Sequence, residues 1–134
     1  MVKTKQFIQA TGKRKSAIAR VVLYPGKGII RINNQLLNTI KPDLVKNRII
    51  EPLLLAEDAG SKINVDVNVH GGGWQGQTEA ARSAIARALV EYNKKLKKTF
   101  LDYDRHLLIW DVRIKETRKP NDSRARAARQ KSYR

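Results

Sequence analysis

The residues best suited to chemistry fall in two short motifs. The first is GGGWQGQ, Gly71 to Gln77, set between an alternating apolar segment and a long amphipathic one. Glycines at Gly71, Gly72 and Gly73 let backbone N–H groups approach a phosphate, a following helix N-terminus adds a partial positive charge, and Gln75 is the side-chain candidate of the loop. Three readings stay open for it. In an enzyme it would be the nucleotide loop of a small-molecule kinase; in an RNA-binding protein it would hold a backbone phosphate or an unstacked base; it is also simply a tight strand-to-helix connection. The second motif is GKRKSAIAR, Gly12 to Arg20. Lys13, Arg14 and Lys15 beside a glycine, with Arg20 behind them, suit tracking of a phosphate backbone, although a solvated loop would look the same.

A catalytic reading needs more than a loop. A kinase requires a lysine for the phosphates, a group for Mg²⁺ and a residue that orients the acceptor. GKRKS lacks P-loop spacing, because no glycine precedes Gly12 at the required distance. Asp66 has no second acid beside it, His70 and His106 have no evident nucleophile partner, and Ser83 inside a helix does not look activated. The expectation is therefore no enzyme, no cofactor and no metal site. Zero cysteines exclude a disulfide framework and thiolate metal ligation, and two histidines make a weak case for zinc.

The elements that must position these motifs follow from periodicity. AIARVVLY, Ala17 to Tyr24, is apolar and β-branched and runs into the turn signal Pro25 to Gly28, which predicts a hairpin into Ile29 to Asn33. An earlier strand is expected around Lys5 to Ala10, with Thr11 to Lys15 as a basic connection. Pro42 to Ile50 reads as a short helix that ends before Pro52, with Leu53 to Ala56 beginning a second. Ile63, Val65, Val67 and Val69 alternate with polar residues, the period of a strand with one buried face. Thr78 to about Lys98 carries Ala81, Ile85, Ala88, Leu89, Tyr92 and Leu96 on one stripe of a helix, with Thr78 as its cap and lysines in its last turn. Those lysines serve the helix dipole or contact RNA. The fold class expected is α+β, a sheet of about four strands with two or three packed helices.

Composition sets the class of partner. The chain has 134 residues, with 28 Lys and Arg against 12 Asp and Glu, a net charge of +16. The charge sits at the ends: residues 1–20 carry six basic and no acidic residues, and 113–134 carry nine basic against two acidic. Residues 21–112 carry thirteen against ten, an ordinary globular balance. A body at 1–112 and an extended basic tail at 113–134 follow, since such a tail repels itself and cannot bury a core. Arg dominates the tail, and its planar fork binds phosphate bidentately and stacks on bases, so nucleic acid is the favoured partner. No apolar leader is evident and the longest apolar runs are far too short to span a bilayer, so the chain is expected to be soluble and intracellular, without a membrane partner.

GKRKSAIAR, PGKGIIRIN, EPLLLA, GGGWQGQTEAARSAIARALVEY and the terminal QKSYR, in this order, resemble the ribosomal protein S-nine family, its archaeal and eukaryotic cytosolic branch in particular. The resemblance runs from about Phe7 to Arg134. It implies a body of the ribosomal protein S-five domain-two-like fold, with an unusual left-handed crossover. Small-molecule kinases share that fold, which accounts for the kinase-like look of the glycine loop, and fold does not fix function. The resemblance further implies a cytoplasmic structural protein of the small ribosomal subunit that binds rRNA in the subunit head, beside neighbouring head proteins. The rRNA role is implied for Lys13, Arg14, Lys15, Arg20, Gly71, Gly72, Gly73, Gln75, Arg113, Arg118, Lys119, Arg124, Arg126 and Arg129, with Trp74 either stacked on a base or packed against the body. The tail is implied to reach the anticodon stem-loop of peptidyl-site tRNA through Lys131, Tyr133 and Arg134. Ile114 departs from the pattern, since relatives commonly carry a further basic residue there, and no phosphate contact is carried over to it.

Overall fold

The structure, a computed structural model, describes residues 7–121 and 124–127. It is a mixed α+β fold, as expected, with one five-stranded sheet. Strands β1 (Ile8–Arg14), β2 (Ala17–Pro25), β3 (Ile30–Ile32), β4 (Gln35–Leu36) and β5 (Ile63–His70) lie in the order β1-β2-β5-β3-β4. All neighbours are antiparallel except β3 and β5, which run parallel. The α-helices are α1 (Asp43–Leu55), the single turn α2 (Asp58–Ser61), α3 (Trp74–Tyr92) and α4 (Leu96–Tyr103), so among the described residues the sheet has one strand more than expected and the α-helices number four. The extra strand is β4, too short to give a periodic signal. Asn33 and Asn34 both take left-handed backbone between β3 and β4, the geometry of a two-residue hairpin turn.

Alternation in β2 and β5 builds the core. Register sets Ala19 opposite Val69, Val21 opposite Val67 and Leu23 opposite Val65, and all six side chains are buried beneath helices. Helix α3 crosses this face. Ala80, Ala81, Ala84, Ile85, Ala88 and Leu89 are all buried, and α1 covers its far side, so the helix lies inside the body rather than on it. Small residues permit the close approach. A Cβ on Gly12 of β1 would collide with the carbonyl of Ala80, so β1 and α3 meet backbone to backbone. Phe100 and Leu107, both fully buried, close the end of the core, each contributing roughly 1.5 to 3 kcal/mol by burial.

Five expectations about the elements need correction. Strand β1 runs through to Arg14, so the basic stretch Thr11 to Arg14 is strand and only Lys15 and Ser16 turn. Strand β3 does not pair with β2. The N–H groups of Gly26 and Gly28 donate to Lys62 and Ile63 at 2.9 and 3.0 Å, and those of Lys27 and Ile29 donate to Asn64 Oδ1 at 2.9 and 3.0 Å. The turn is thus satisfied by the start of β5, and the chain crosses over that strand before joining its far edge. Pro52 does not end α1: it sits buried inside the helix with Ile49 and Leu53, and their packing outweighs the hydrogen bond that proline removes.

The long helix also breaks, at Asn93 to Lys95, where the Asn93 side chain accepts from the Lys95 N–H at 3.1 Å. A straight continuation to Phe100 would carry that ring about 12 Å along the axis and off the core. The lysine cluster therefore straddles a bend. At its other end α3 begins at Trp74, so half of GGGWQGQ is its first turn, and the Thr78 hydroxyl donates back to the Trp74 carbonyl at 2.7 Å instead of capping.

Candidate nucleic-acid interface

Pairing of β2 with β5, Ile18 opposite His70, puts the β1–β2 turn and the glycine loop at one end of the sheet. The two motifs then touch. A Cβ on Gly71 would lie 2.5 Å from the Ser16 carbonyl oxygen, and one on Gly72 3.1 Å from the Ala17 nitrogen; both glycines are left-handed. Lys13, Arg14 and Lys15 are thereby brought beside Gly71, Gly72, Gly73 and Gln75 on one edge. Arg20 is not part of this group. In the register it lies opposite Thr11 and Asn68, farther from the β1–β2 turn than Lys13, with which it shares the uncovered sheet face, whereas Arg14 lies opposite Ala17 on the helix side.

Behind the edge is a cavity of about 400 Å³, between the β1–β2 turn, the starts of α1 and α3, and the segment from Asp104 to Arg113. Cations of three elements, among them Lys15, Arg48 and Arg113, line it together with Trp74 and Trp110. Trp110 is fixed by Arg87, whose guanidinium lies 4.8 Å from the ring centroid and donates to the Thr11 carbonyl at 3.1 Å.

Two carboxylate systems hold the walls. Asp111, with a side chain 10 % exposed, pairs with Arg14 of β1 and forms a fork with Arg113, Nε to Oδ1 at 3.0 Å and Nη2 to Oδ2 at 2.6 Å. Hydrogen bonds from Arg113, joined by Arg14, hold the Asp111 carboxyl well below the ordinary carboxylate range. This clamp ties the segment after the core to the end of β1. Deeper, Arg82 of α3, 7 % exposed, reaches Glu51 of α1 at 2.7 Å, Asp104 at 3.1 Å and Glu79 at 3.8 Å, while Arg48 pairs with Glu79. Burial alone would lower the Arg82 pKa, but Asp104, Glu51 and Glu79 hold it above its usual value. Asp104 in turn is pushed up by burial and drawn further down by the His106 N–H and Arg82, ending below its usual value.

Sequence reasoning missed both systems. Asp111, Glu51, Glu79 and Asp104 lie in unremarkable segments, and Arg82 sits among alanines; a charge at a position of the helix that the apolar stripe buries was the signal available. Arg118 and Lys119 are exposed in a stretch, 111–119, without regular structure. Arg124 is exposed, and Arg126 forms a fork with Glu116, Nη2 to Oε1 at 2.6 Å. Arg129, Lys131, Tyr133 and Arg134 lie outside the described residues. Among the described residues no group of three or more His, Cys, Asp or Glu could hold a metal, and no helix is long and apolar enough to cross a membrane.

A family model described as Ribosomal protein S9/S16 matches residues 12–134. The chain is 47 % identical over 130 residues to "Small ribosomal subunit protein uS9" of Thermoplasma volcanium, covering 96 % of this chain and 98 % of that one. Proteins of the same name from Thermoplasma acidophilum and Methanothrix thermoacetophila are 48 % and 46 % identical, over 92 % and 95 % of this chain and 98 % of each of theirs. With a family match across the cationic turn, the glycine loop and the basic C-terminal segment, and relatives nearly half identical along their whole length, the chain belongs to the Ribosomal protein S9/S16 family.

Proposed function

We propose that this chain is a non-catalytic structural constituent of the small ribosomal subunit in the cytoplasm, bound to rRNA in the subunit head beside other head proteins. The observation that carries the reading is the union of Lys13, Arg14 and Lys15 with the Gly71 to Gly73 loop on one edge of the sheet, two motifs 56 positions apart in sequence. Backbone N–H groups and cations at one place suit a phosphodiester chain. Arg113, Arg118, Lys119, Arg124, Arg126 and Arg129 extend the same contact along a tail, 113–134, separate from a body that ends near Val112. The parallel β3–β5 pair with its helical crossover supports the S-five domain-two-like fold for that body. Lys131, Tyr133 and Arg134 then approach peptidyl-site tRNA. The reading uses no cofactor and no membrane.

Filter binding of the full chain to small-subunit rRNA tests the first part. Six to ten phosphate contacts should lose on the order of 10³ to 10⁵ in affinity between about 50 and 200 mM salt. A nearly flat dependence would sink it. For the tail, deletion of Ser132 to Arg134 should leave incorporation into reconstituted subunits intact and weaken peptidyl-site tRNA binding several-fold, the scale of one charge-assisted hydrogen bond of about 1.5 kcal/mol. Unchanged tRNA affinity would remove the tRNA role.

A further inference from the structure

The core ends at Leu107, which is fully buried, and Leu108, which packs against it, but the apolar sequence runs on. Of the next six residues four are large and apolar, Ile109, Trp110, Val112 and Ile114. All four are exposed, Val112 at 85 % and Ile114 at 68 %. From Lys115 to Arg126 no large apolar residue follows, so the strip is bounded by the core on one side and the basic tail on the other. Its residues are nearly consecutive, which makes it one continuous surface up to about 20 Å long. Exposed apolar surface that is contiguous in this way marks an interaction site, whereas single scattered residues do not.

The strip is also held in place. The Ile109 N–H donates to the Arg105 carbonyl at 3.1 Å, and the Trp110 ring faces the Arg87 guanidinium. Asp111 pairs with Arg14 and accepts from the Arg113 N–H at 3.0 Å, so Val112 stands between two tethered residues and yet packs on almost nothing. A partner would meet a shape already formed, which lowers the ordering cost of binding.

Its chemistry selects the kind of partner. RNA is read by cations, hydrogen-bonding groups and stacking rings, and Val112 and Ile114 offer none of these. A second copy of the chain would set the exposed Arg113, Lys115, Arg118 and Lys119 against the same cations, between two molecules of net charge +16. Protein interfaces instead seat apolar anchors inside a polar rim, with Trp and Arg foremost among the residues that carry the energy. The complement of this strip is therefore an apolar groove with carboxylates on its rim.

We propose that residues 109–114 form a protein-docking strip, seated in an apolar, acid-rimmed groove on a neighbouring protein of the small subunit. The inference rests on the ribosomal reading above and gives neighbouring stretches of the chain different partners, protein for the strip and RNA for the edge and tail.

The double variant Val112→Ser, Ile114→Ser of the full chain tests it. Its melting temperature and its filter binding to protein-free small-subunit rRNA should match the wild type. In competition with wild type for entry into subunits reconstituted from rRNA and the complete set of small-subunit proteins, it should lose about tenfold or more, the worth of burying one such side chain. The chain has no cysteine, so Ile114→Cys carrying a thiol-linked benzophenone places a single photocrosslinker on the strip. Illumination of the reconstituted subunit should give an adduct with another protein, on a peptide that contains carboxylates.

Five results overturn the inference. Entry into subunits equal to that of the wild type removes the docking role. Weakened binding to protein-free rRNA, or a crosslink to rRNA, reassigns the strip to RNA. An adduct with a second copy makes it a dimer contact. A melting temperature lower by several degrees returns the two side chains to the fold. Failure of the wild type itself to bind rRNA and enter subunits removes the ribosomal reading, and the docking strip with it.

Discussion

Arg82 and the pair Arg14 and Arg113 line the same cavity, yet they are held in opposite ways. Around Arg82 carboxylates are in excess: Glu51, Glu79 and Asp104 surround one nearly buried guanidinium, with Arg48 sharing only Glu79. Around Asp111 the cations are in excess, two arginines on one carboxylate, with Arg113 77 % exposed. The first cluster has no positive charge to spare and joins α1, α3 and the turn at Asp104. The second leaves a net positive charge at the mouth, where a phosphate can use it. An arginine's role in this molecule is set by how many acids share it, and composition alone hides the difference.

Removing the buried arginine is the strongest way to break that comparison. Arg82→Ala leaves a hole in α3, strands Glu51, and leaves Asp104 and Glu79 with only the His106 N–H and Arg48 respectively. Breaking a buried pair costs about 3 to 5 kcal/mol, and the low end applies because Glu51 and Asp104 keep about a third of their surface in water. Urea or thermal unfolding of the variant should show a loss of about 3 kcal/mol. A loss below about 1 kcal/mol would mean that Arg82 is no more structural than a surface cation.

The next effect is acid sensitivity. The Asp104 carboxyl titrates below its unfolded value, so its contribution to stability is complete above about pH 4 and is lost as pH falls through the lower folded value. Stability measured from pH 6 down to pH 2 should fall, and Asp104→Asn should flatten the acid limb while lowering the plateau. An unchanged acid limb in the variant would assign the titration to other carboxylates.

How much of this was legible in advance divides along physical lines. β2 and β5 were readable because one face of each is buried and period-2 alternation records it; α3 was readable from its apolar stripe. The β2–β3 hairpin misled because local turn chemistry at Pro25 to Gly28 is the same whether the next strand pairs with β2 or crosses to the far side of β5. What decided it was Asn64, 35 residues from Ile29. Pro52 misled because the packing of Ile49 and Leu53 overrode a local preference. For the site, the cations and glycines announced themselves by clustering in sequence, whereas Trp110, Asp104 and Asp111 meet only through the fold.

The smallest expected effect is the one that sharpens the comparison most. Asp111→Asn keeps the size and an accepting oxygen but removes the negative charge that Arg14 and Arg113 share. The pair with the strongly exposed Arg113 contributes little to folding, and in the better covered pair the asparagine oxygen still accepts from Arg14, so the melting temperature should move by no more than a few degrees. RNA binding should respond instead. With the carboxylate gone, two guanidinium groups at the mouth lose their internal counterion, and one more phosphate can be engaged. The dependence of log affinity on log salt should then steepen by about 0.7 for that phosphate, and the gain should be largest at low salt. Against this works the loss of the fork that fixes Arg113, which raises the entropy cost of ordering it on RNA. Filter binding of wild type and Asp111→Asn across a salt series separates the two effects. A steeper slope with tighter binding at low salt means that Asp111 competes with phosphate for these arginines. Weaker binding at every salt concentration would mean that Asp111 holds them in place for phosphate, and would put the outer cluster beside Arg82 as a device of position rather than of charge.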